Sequence, residues 1–145
     1  MEGSEYYKKH KPSLEKWDEI RPELLKRLEE GGMNHKDAVS FLVAAEEIYT
    51  NTVMHGYPGG IGESAVCSVS LTWQDGEDGR CAVIGIADNG TAFDPLDVPP
   101  REPLTSLKGA APGGFGISIA RERTDRMEYR HDGDFNRLFM YRNIN

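Results

Sequence analysis

The chain is organised around one stretch of sequence, Glu47-Ile48-Tyr49-Thr50-Asn51-Thr52-Val53-Met54-His55-Gly56-Tyr57. This stretch is the second half of a helical pattern that begins after Asn34. Apolar residues recur in it at helical spacing and predict one broad face toward the core. The members of that face are Ala38, Phe41, Leu42, Ala45, Ile48, Tyr49 and Thr52.

Glu47 and Asn51 lie nearly opposite this face. They are four residues apart, so their side chains stack on one side of the helix. Their neighbours on that side are Val43, Ala44 and Met54 rather than charged residues. Because an unpaired buried carboxylate is costly, this pattern fits two interpretations. Either the helix has a partly solvated back on which Glu47 caps a loop, or Glu47 belongs to a site.

Composition narrows the class of protein. The chain has 145 residues, a net charge of -7, 38% hydrophobic and 28% charged residues, which predicts a single globular domain over residues 1–145. Its acidity argues against nucleic-acid binding and favours a basic protein partner. Cys67 and Cys81 lie in apolar strand patterns and are expected to be reduced. Without a signal sequence or membrane-length apolar run, we expect a cytoplasmic protein with no membrane association.

The first half of the chain reads as helical. Residues 1–12 are expected to be a frayed lead-in with room for a short edge strand at Tyr6 and Tyr7. A helix should follow with Ser13 as its N-cap, Pro22 should kink or split it, and Gly31-Gly32 should end it. Its apolar face is predicted to contain Leu14, Trp17, Ile20, Leu24, Leu25 and Leu28.

The second half reads as strands interrupted by one long loop. Residues 67–73 alternate between apolar and polar, whereas 81–87 are apolar on both faces and should lie in the middle of the sheet. Two more strands are expected at 127–130 and 137–142, and a helix at 117–124. Residues 91–112 have no steady period and contain five prolines, which is typical of a functional lid.

Two further motifs carry chemistry. Asp88 follows the most buried strand, where it could form a hairpin turn with Asn89-Gly90 or accept a hydrogen bond from an amine such as that of adenine. Gly113, Gly114 and Gly116 precede a helix, an arrangement that suits phosphate although it is also common in loops. With a nucleotide present, Asn51 suits Mg²⁺ and Glu47 suits the role of general base.

The motifs Glu47-x-x-x-Asn51, Asp88-x-Gly90 and Gly113-Gly114-x-Gly116, in this order, resemble the N, G1 and G2 boxes of the GHKL ATPases, which share the Bergerat fold. Within that superfamily, residues 47–57 and 88–95 most resemble the bacterial anti-sigma factor serine kinases. The resemblance implies a two-layer α+β sandwich whose mixed, mostly antiparallel sheet is covered on one face by helices.

The resemblance also implies a function and a site. ATP and Mg²⁺ would be the cofactors, with Asp88 and Gly90 at adenine, Asn51 at the metal, Gly113, Gly114 and Gly116 at the phosphates, and Glu47 as catalytic base. Family members sequester a sigma factor and phosphorylate a small anti-anti-sigma protein of the STAS type. A homodimer is compatible with this family. Lys108, Arg121 and Arg123 are weaker candidates for phosphate contacts.

Two features of the sequence depart from the family pattern. The first strand is missing or very short before Pro12, and Asn136 or Arg137 stands where many members have a threonine near adenine. A second hypothesis is therefore a nucleotide-dependent binding switch of the same fold with little or no kinase activity. A detached histidine kinase ATPase domain is less expected, since no phosphoacceptor helix precedes residue 12 and the sequence stops at Asn145.

Overall fold

The computed structural model describes residues 5–77, 79–94, 96 and 114–144. Its helices are α1 (Trp17–Glu30), preceded by a 3₁₀ turn at Leu14–Lys16, α2 (His35–His55) and α3 (Gly114–Glu122). Its strands are β1 (Tyr6–His10), β2 (Cys67–Gly76), β3 (Gly79–Asp88), β4 (Arg126–Asp132) and β5 (Phe135–Asn143).

The five strands form one sheet in the order β1-β2-β3-β5-β4. All four pairings between these strands are antiparallel, so the expected mixed sheet is antiparallel throughout. β3 is the central strand, as its apolar pattern predicts, and Ala82 to Asp88 are all buried. The last residue of the most buried strand is therefore the carboxylate Asp88.

The three helices cover one face of the sheet, which confirms the predicted two-layer α+β architecture. The core lies between the layers and contains Ile20 and Leu24 of α1, Phe41 of α2 and Ile84 of β3. Strand register places one row of side chains across this inner face near the end of β3: His10, Cys67, Asp88, Asn136 and His131. The sheet thus brings Asp88 beside a polar residue of β5.

The opposite face of the sheet is covered by the side chains of its own strands. Arg126 lies over the ring of Tyr141, with 3.6 Å between the guanidinium carbon and the ring centroid. Arg130 lies over Phe139 at 5.2 Å. Side chains alternate along a strand, so Cys81 belongs to this face while Cys67 belongs to the inner one. Both cysteines are free thiols.

The first strand is present as the short edge strand expected at Tyr6 and Tyr7: β1 has five residues and pairs with β2. Other local predictions need correction. The side chain of Ser13 does not cap the first helix; its carbonyl instead accepts hydrogen bonds from the Lys16 N–H and the Tyr49 hydroxyl. Leu14 is exposed rather than part of the apolar face. The helix is not split at Pro22, because buried side chains on both sides of that exposed proline hold it against the core.

The pattern also misplaced some element ends. α3 begins at Gly114, so Gly114 and Gly116 form its first turn instead of preceding a helix at 117–124. β2 and β3 extend to Gly76 and Gly79, because their pairing continues to the end of the hairpin. The predicted lid at 91–112, apart from 91–94 and 96, lies outside the described residues, and so does Gly113. In the described part of the chain, no helix is long and apolar enough to cross a lipid bilayer.

Candidate active site

A cavity of about 340 Å³ opens between α2, the end of β3 and strands β4 and β5. This volume is within the range of small-molecule sites. Its walls are mainly apolar and include Ile48, Ile86 and Leu138. Its remaining lining residues are Asn51, Thr52, His55, Gly56, Pro58, Asp88, Thr91, Ala92, Phe93, Tyr129 and Asn136. An apolar slot with a few polar groups is suited to a flat aromatic ligand.

Asp88 is the charged group on the wall of this cavity, and only 7% of it is exposed. Its Oδ1 accepts hydrogen bonds from the Gly90 N–H at 2.9 Å and from Nδ2 of Asn136 at 3.0 Å. Among the described residues, no donor reaches its other oxygen, Oδ2. Burial raises the pKa of the Asp88 carboxyl, while the hydrogen bonds from Asn136 and Gly90 oppose that rise. One oxygen of a rigidly held carboxylate is therefore left to accept a bond from a ligand.

Asn136 connects Asp88 to the chain that follows it. Besides Asp88, its Nδ2 donates to the carbonyl oxygens of Thr91 at 3.1 Å and Gly90 at 3.3 Å. Its Oδ1 accepts from the Tyr129 hydroxyl and from the Phe93 N–H. The side chain is 6% exposed. Asn136 thus lies beside Asp88, the residue expected at adenine, which fits the expectation that residue 136 or 137 stands where many family members have a threonine. The polar atoms of the Asn136 side chain already make hydrogen bonds within the protein.

Gly90 is required where the turn after β3 meets the end of α2. A Cβ built on Gly90 would lie 2.3 Å from the carbonyl oxygen of Gly56, which is backbone and cannot move aside cheaply. The same oxygen accepts a hydrogen bond of 2.8 Å from the Thr91 N–H. Only a residue without a side chain lets the backbone of this turn come so close to the Gly56 carbonyl.

Asn89 fastens the loop after α2 to the same turn. Its Nδ2 donates to the Ser64 carbonyl at 2.8 Å, and its Oδ1 accepts from the Tyr57 hydroxyl and the Val66 N–H, both at 2.9 Å. Asn89 therefore has a structural role. Asp88, which precedes it, lies on the cavity wall, and Gly90, which follows it, contacts the end of α2.

Glu47 and Asn51 occupy adjacent turns of α2, as predicted. Asn51 lines the cavity with Asp88. Glu47 lies one turn earlier, outside the lining, and makes no hydrogen bond or ion pair with the described residues. Burial raises the pKa of the Glu47 carboxyl, and repulsion from Glu46 raises it further. A half-buried carboxylate with a raised pKa is suited to accept a proton.

The start of α3 packs against Glu47. A Cβ built on Gly116 would lie 2.9 Å from Oε2 of Glu47 and 3.4 Å from its Cβ, so a glycine here lets the two helices approach. The first N–H groups of α3 have no partners within the helix, and Gly116 of this turn lies beside Glu47 in the middle of α2. Arg121 and Arg123 are engaged elsewhere, with the Leu96 carbonyl at 2.7 Å and the Ser40 hydroxyl at 3.1 Å.

The structure therefore brings together Asp88 and Asn51 around one cavity, with Glu47 and the first turn of α3 beside it. Gly90, which was expected at adenine, is not a lining residue and instead packs against the Gly56 carbonyl. Sequence reasoning missed the tasks of Asn136, Tyr129 and Asn89. One signal for Asn136 was available: it alternates with Leu138 and Met140, which places a polar residue on the core face of β5.

Comparison with known proteins agrees with this arrangement. Residues 11–142 match the family model of the histidine kinase-like ATPase domain. Over 96 residues the chain is 29% identical to the serine/threonine-protein kinase BtrW of Bordetella bronchiseptica, a match that covers 66% of this chain and 63% of that protein. The chain thus aligns with less than two thirds of that relative's length.

The fold is also similar to a solved structure, that of the RsbU and RsbW domains of Rv1364c from Mycobacterium tuberculosis. The TM-score is 0.62 at 16% identity, and the similarity covers 97% of this chain and 32% of that one. At this identity the likeness concerns the fold alone. The family model, in contrast, spans nearly the whole sequence, and on that ground the chain belongs to the family of histidine kinase-like ATPase domains.

Proposed function

We propose that this protein is an ATP-dependent serine/threonine protein kinase of the anti-sigma type. It would bind a sigma factor and phosphorylate a small anti-anti-sigma protein that competes for it. The observation that carries the proposal is the placing of Glu47, free of partners among the described residues, one helical turn from a cavity that holds both Asn51 and Asp88. The identity of the partners rests on the resemblance of residues 47–57 and 88–95 to the anti-sigma factor serine kinases.

The adenine end of the site is assigned to Asp88. Its Oδ2 would accept a hydrogen bond from the exocyclic amine of adenine, while Ile48, Ile86 and Leu138 would contact the ring faces. Guanine carries a carbonyl at the corresponding position, and two acceptors facing each other repel. The site should therefore prefer adenine nucleotides.

The phosphate end is assigned to Asn51 and to the first turn of α3. The amide oxygen of Asn51 is a neutral hard ligand of the kind that Mg²⁺ accepts together with waters and phosphate oxygens. The unpaired N–H groups at Gly114 and beyond it provide partial positive charge for phosphate. When bound, Mg²⁺ would neutralise part of the negative charge of the phosphates.

Glu47 is assigned the role of general base. The hydroxyl of the partner's serine or threonine would give its proton to the Glu47 carboxylate as its oxygen bonds to the γ-phosphorus. The bond from that phosphorus to the β–γ bridging oxygen breaks, and ADP leaves with that electron pair. The raised pKa of Glu47 suits this exchange, because a more basic carboxylate accepts the proton more readily.

The first experiment is thermal unfolding of the protein with Mg-ATP, Mg-ADP and Mg-GTP. A ligand at about 100 times its dissociation constant stabilises a protein by roughly 2.7 kcal/mol. We expect a rise in melting temperature with both adenine nucleotides and none with GTP. Absence of any shift at millimolar nucleotide would contradict the site.

The second experiment tests catalysis through Glu47→Gln. The variant should bind Mg-ATP with affinity close to the parent and lose transfer of labelled γ-phosphate to an anti-anti-sigma substrate by about 100-fold or more, the usual contribution of a general base. Glu30→Gln is the control, because Glu30 is exposed at the end of α1 and does not act on the pKa of Glu47. Transfer at the parent rate in Glu47→Gln would exclude this base. No transfer by the parent protein, despite ATP binding, would favour a nucleotide-dependent switch.

A further inference from the structure

Asn136 has no hydrogen-bonding capacity left for a ligand. A side-chain amide has two N–H donors and one oxygen acceptor. The two donors are shared among the oxygens of Asp88, Gly90 and Thr91, and the acceptor receives bonds from Tyr129 and Phe93. Any effect of Asn136 on a bound base must therefore pass through another residue.

Asp88 is that residue. The two side chains face each other directly across the β3–β5 pair, and Nδ2 of Asn136 reaches Oδ1 of Asp88 at 3.0 Å. A carboxylate held at one oxygen by a fixed donor cannot rotate freely. Its second oxygen then has a defined direction, and hydrogen bonds to charged groups are strong enough to impose it.

The orientation of the Asn136 amide is itself determined by its neighbours. The Phe93 N–H can only donate, while the Asp88 carboxylate and the backbone carbonyls beside it can only accept, which turns the NH₂ end toward Asp88. The Tyr129 hydroxyl, which can do either, donates to the oxygen end. An amide turned the other way would oppose its oxygen to the carboxylate. The same amide also fixes Gly90 and Thr91, the first residues after β3.

We propose that Asn136 is a positioning residue for base selection, which orients Asp88 so that Oδ2 meets an amino group on the bound purine. This inference rests on the proposed nucleotide site. It assigns the discrimination between purines to the Tyr129–Asn136–Asp88 chain of hydrogen bonds, with Asn136 making no hydrogen bond to the base.

The test uses Mg-ADP and purine riboside 5′-diphosphate, which lacks the 6-amino group, as calorimetric probes of the full chain. The ratio of their dissociation constants measures recognition of the amino group and cancels general effects on the fold. Two variants of nearly equal shape are compared: in Asn136→Thr a hydroxyl can still donate to Asp88, and in Asn136→Val it is replaced by a methyl group. Asn143→Ala, on the same strand but the other face, is the control.

We expect the parent and Asn143→Ala to prefer ADP by about 10-fold or more, the effect of one hydrogen bond to a charged group. Asn136→Val should lose most of this preference by weakening ADP while leaving purine riboside diphosphate nearly unchanged, and Asn136→Thr should keep part of it. Tyr129→Phe leaves Asn136 in place but removes one orienting donor, and it should give an intermediate ratio.

The outcomes separate the two proposals. If the parent binds neither probe, or binds both equally, the adenine site itself is wrong and this inference falls with it. If the parent discriminates and Asn136→Val discriminates equally well, the site stands and the positioning role is wrong. Should Asn136→Val fail to fold, an unchanged ratio in Tyr129→Phe would overturn the role in the same way.

Discussion

At the scale of single residues, a buried, ionised Asp88 opposes folding but favours ligand binding. Burial raises the pKa of its carboxyl, which means that the ionised form is disfavoured in the folded protein. In contrast, the ionised form of Asp88 is the better hydrogen-bond acceptor for the amino group of a bound ligand. Such tension between stability and function is common at binding sites.

Asp88→Asn tests this tension. The variant should unfold at an equal or higher temperature than the parent without nucleotide, because an uncharged amide is cheaper to bury. Its affinity for Mg-ATP should fall by about 10-fold or more, since an amide can present a donor where the adenine amine needs an acceptor. Calorimetry and thermal unfolding measure the two effects.

Asp134→Asn, on the exposed β4–β5 turn, serves as its control and should change neither property. Unaltered ATP affinity in Asp88→Asn would remove Asp88 from the adenine site.

At the scale of elements, the turn after β3 is docked onto the C-terminal end of α2. The contact runs from Gly90 and Thr91 to the Gly56 carbonyl. The helix that carries Glu47 and Asn51 is thereby held at a constant distance from the strand that carries Asp88. The hydrogen bonds of Asn89 to Tyr57 and to the loop after α2 support the same arrangement.

Gly90→Ala should disrupt that docking. The added Cβ would meet backbone at 2.3 Å, so the turn must move. We expect a loss of about 1–3 kcal/mol in the free energy of unfolding, as for other overpacked sites, together with weaker nucleotide binding. Urea denaturation and calorimetry provide the two values.

Gly59 provides a control position. A Cβ built on it would have no atom within 4 Å, and its φ angle is not positive. Gly59→Ala should therefore leave the free energy of unfolding nearly unchanged. If it destabilised the protein as much as Gly90→Ala does, the contact with Gly56 would not explain the effect of Gly90→Ala.

At the scale of the whole molecule, unfolding exposes Asp88 and links its protonation to global stability. Its folded-state pKa lies above the unfolded value, so its protonated form is favoured by folding. The stability that Asp88 contributes is fully present below its unfolded pKa and is lost as pH rises through its folded pKa. The ionised carboxylate is thus least favourable to the folded state at neutral pH.

This linkage gives a pH prediction. The melting temperature of ligand-free Asp88→Asn minus that of the parent should be largest near neutral pH. It should shrink as pH falls through the raised pKa of Asp88. Measuring the difference removes the contributions of other titrating groups, which are common to both proteins. A difference that grows on acidification would show that the pKa of Asp88 is lowered by folding instead.

The sequence predicted most of this architecture because the periodic signals were strong. Each strong pattern corresponds to an observed element: the apolar face to α2, the alternation of apolar and polar residues to β2, and the run that is apolar on both faces to β3. β3 is also the central strand, as that run predicted. The predictions failed where tertiary contacts override local preference. Pro22 lies inside an intact helix because the core holds residues on both sides of it.

The site was predictable to the extent that its residues lie in motifs. Glu47, Asn51 and Asp88 are placed as the patterns indicated, although their roles remain predictions. The task of Asn136 was beyond the reach of the sequence, since it depends on register between two strands that are separated by about fifty residues. Register follows from the whole sheet and not from local spacing.

The separation of the two cysteines onto opposite faces of the sheet has a practical consequence. Burial raises the pKa of Cys67 to about 12, so this thiol remains protonated and inert at neutral pH. Burial also raises the pKa of Cys81, but this thiol is more accessible and lies on the face of the sheet away from the cavity. A thiol-reactive fluorophore should therefore attach at Cys81 in the natural sequence, which would give a single reporter for partner binding with the candidate active site left unmodified.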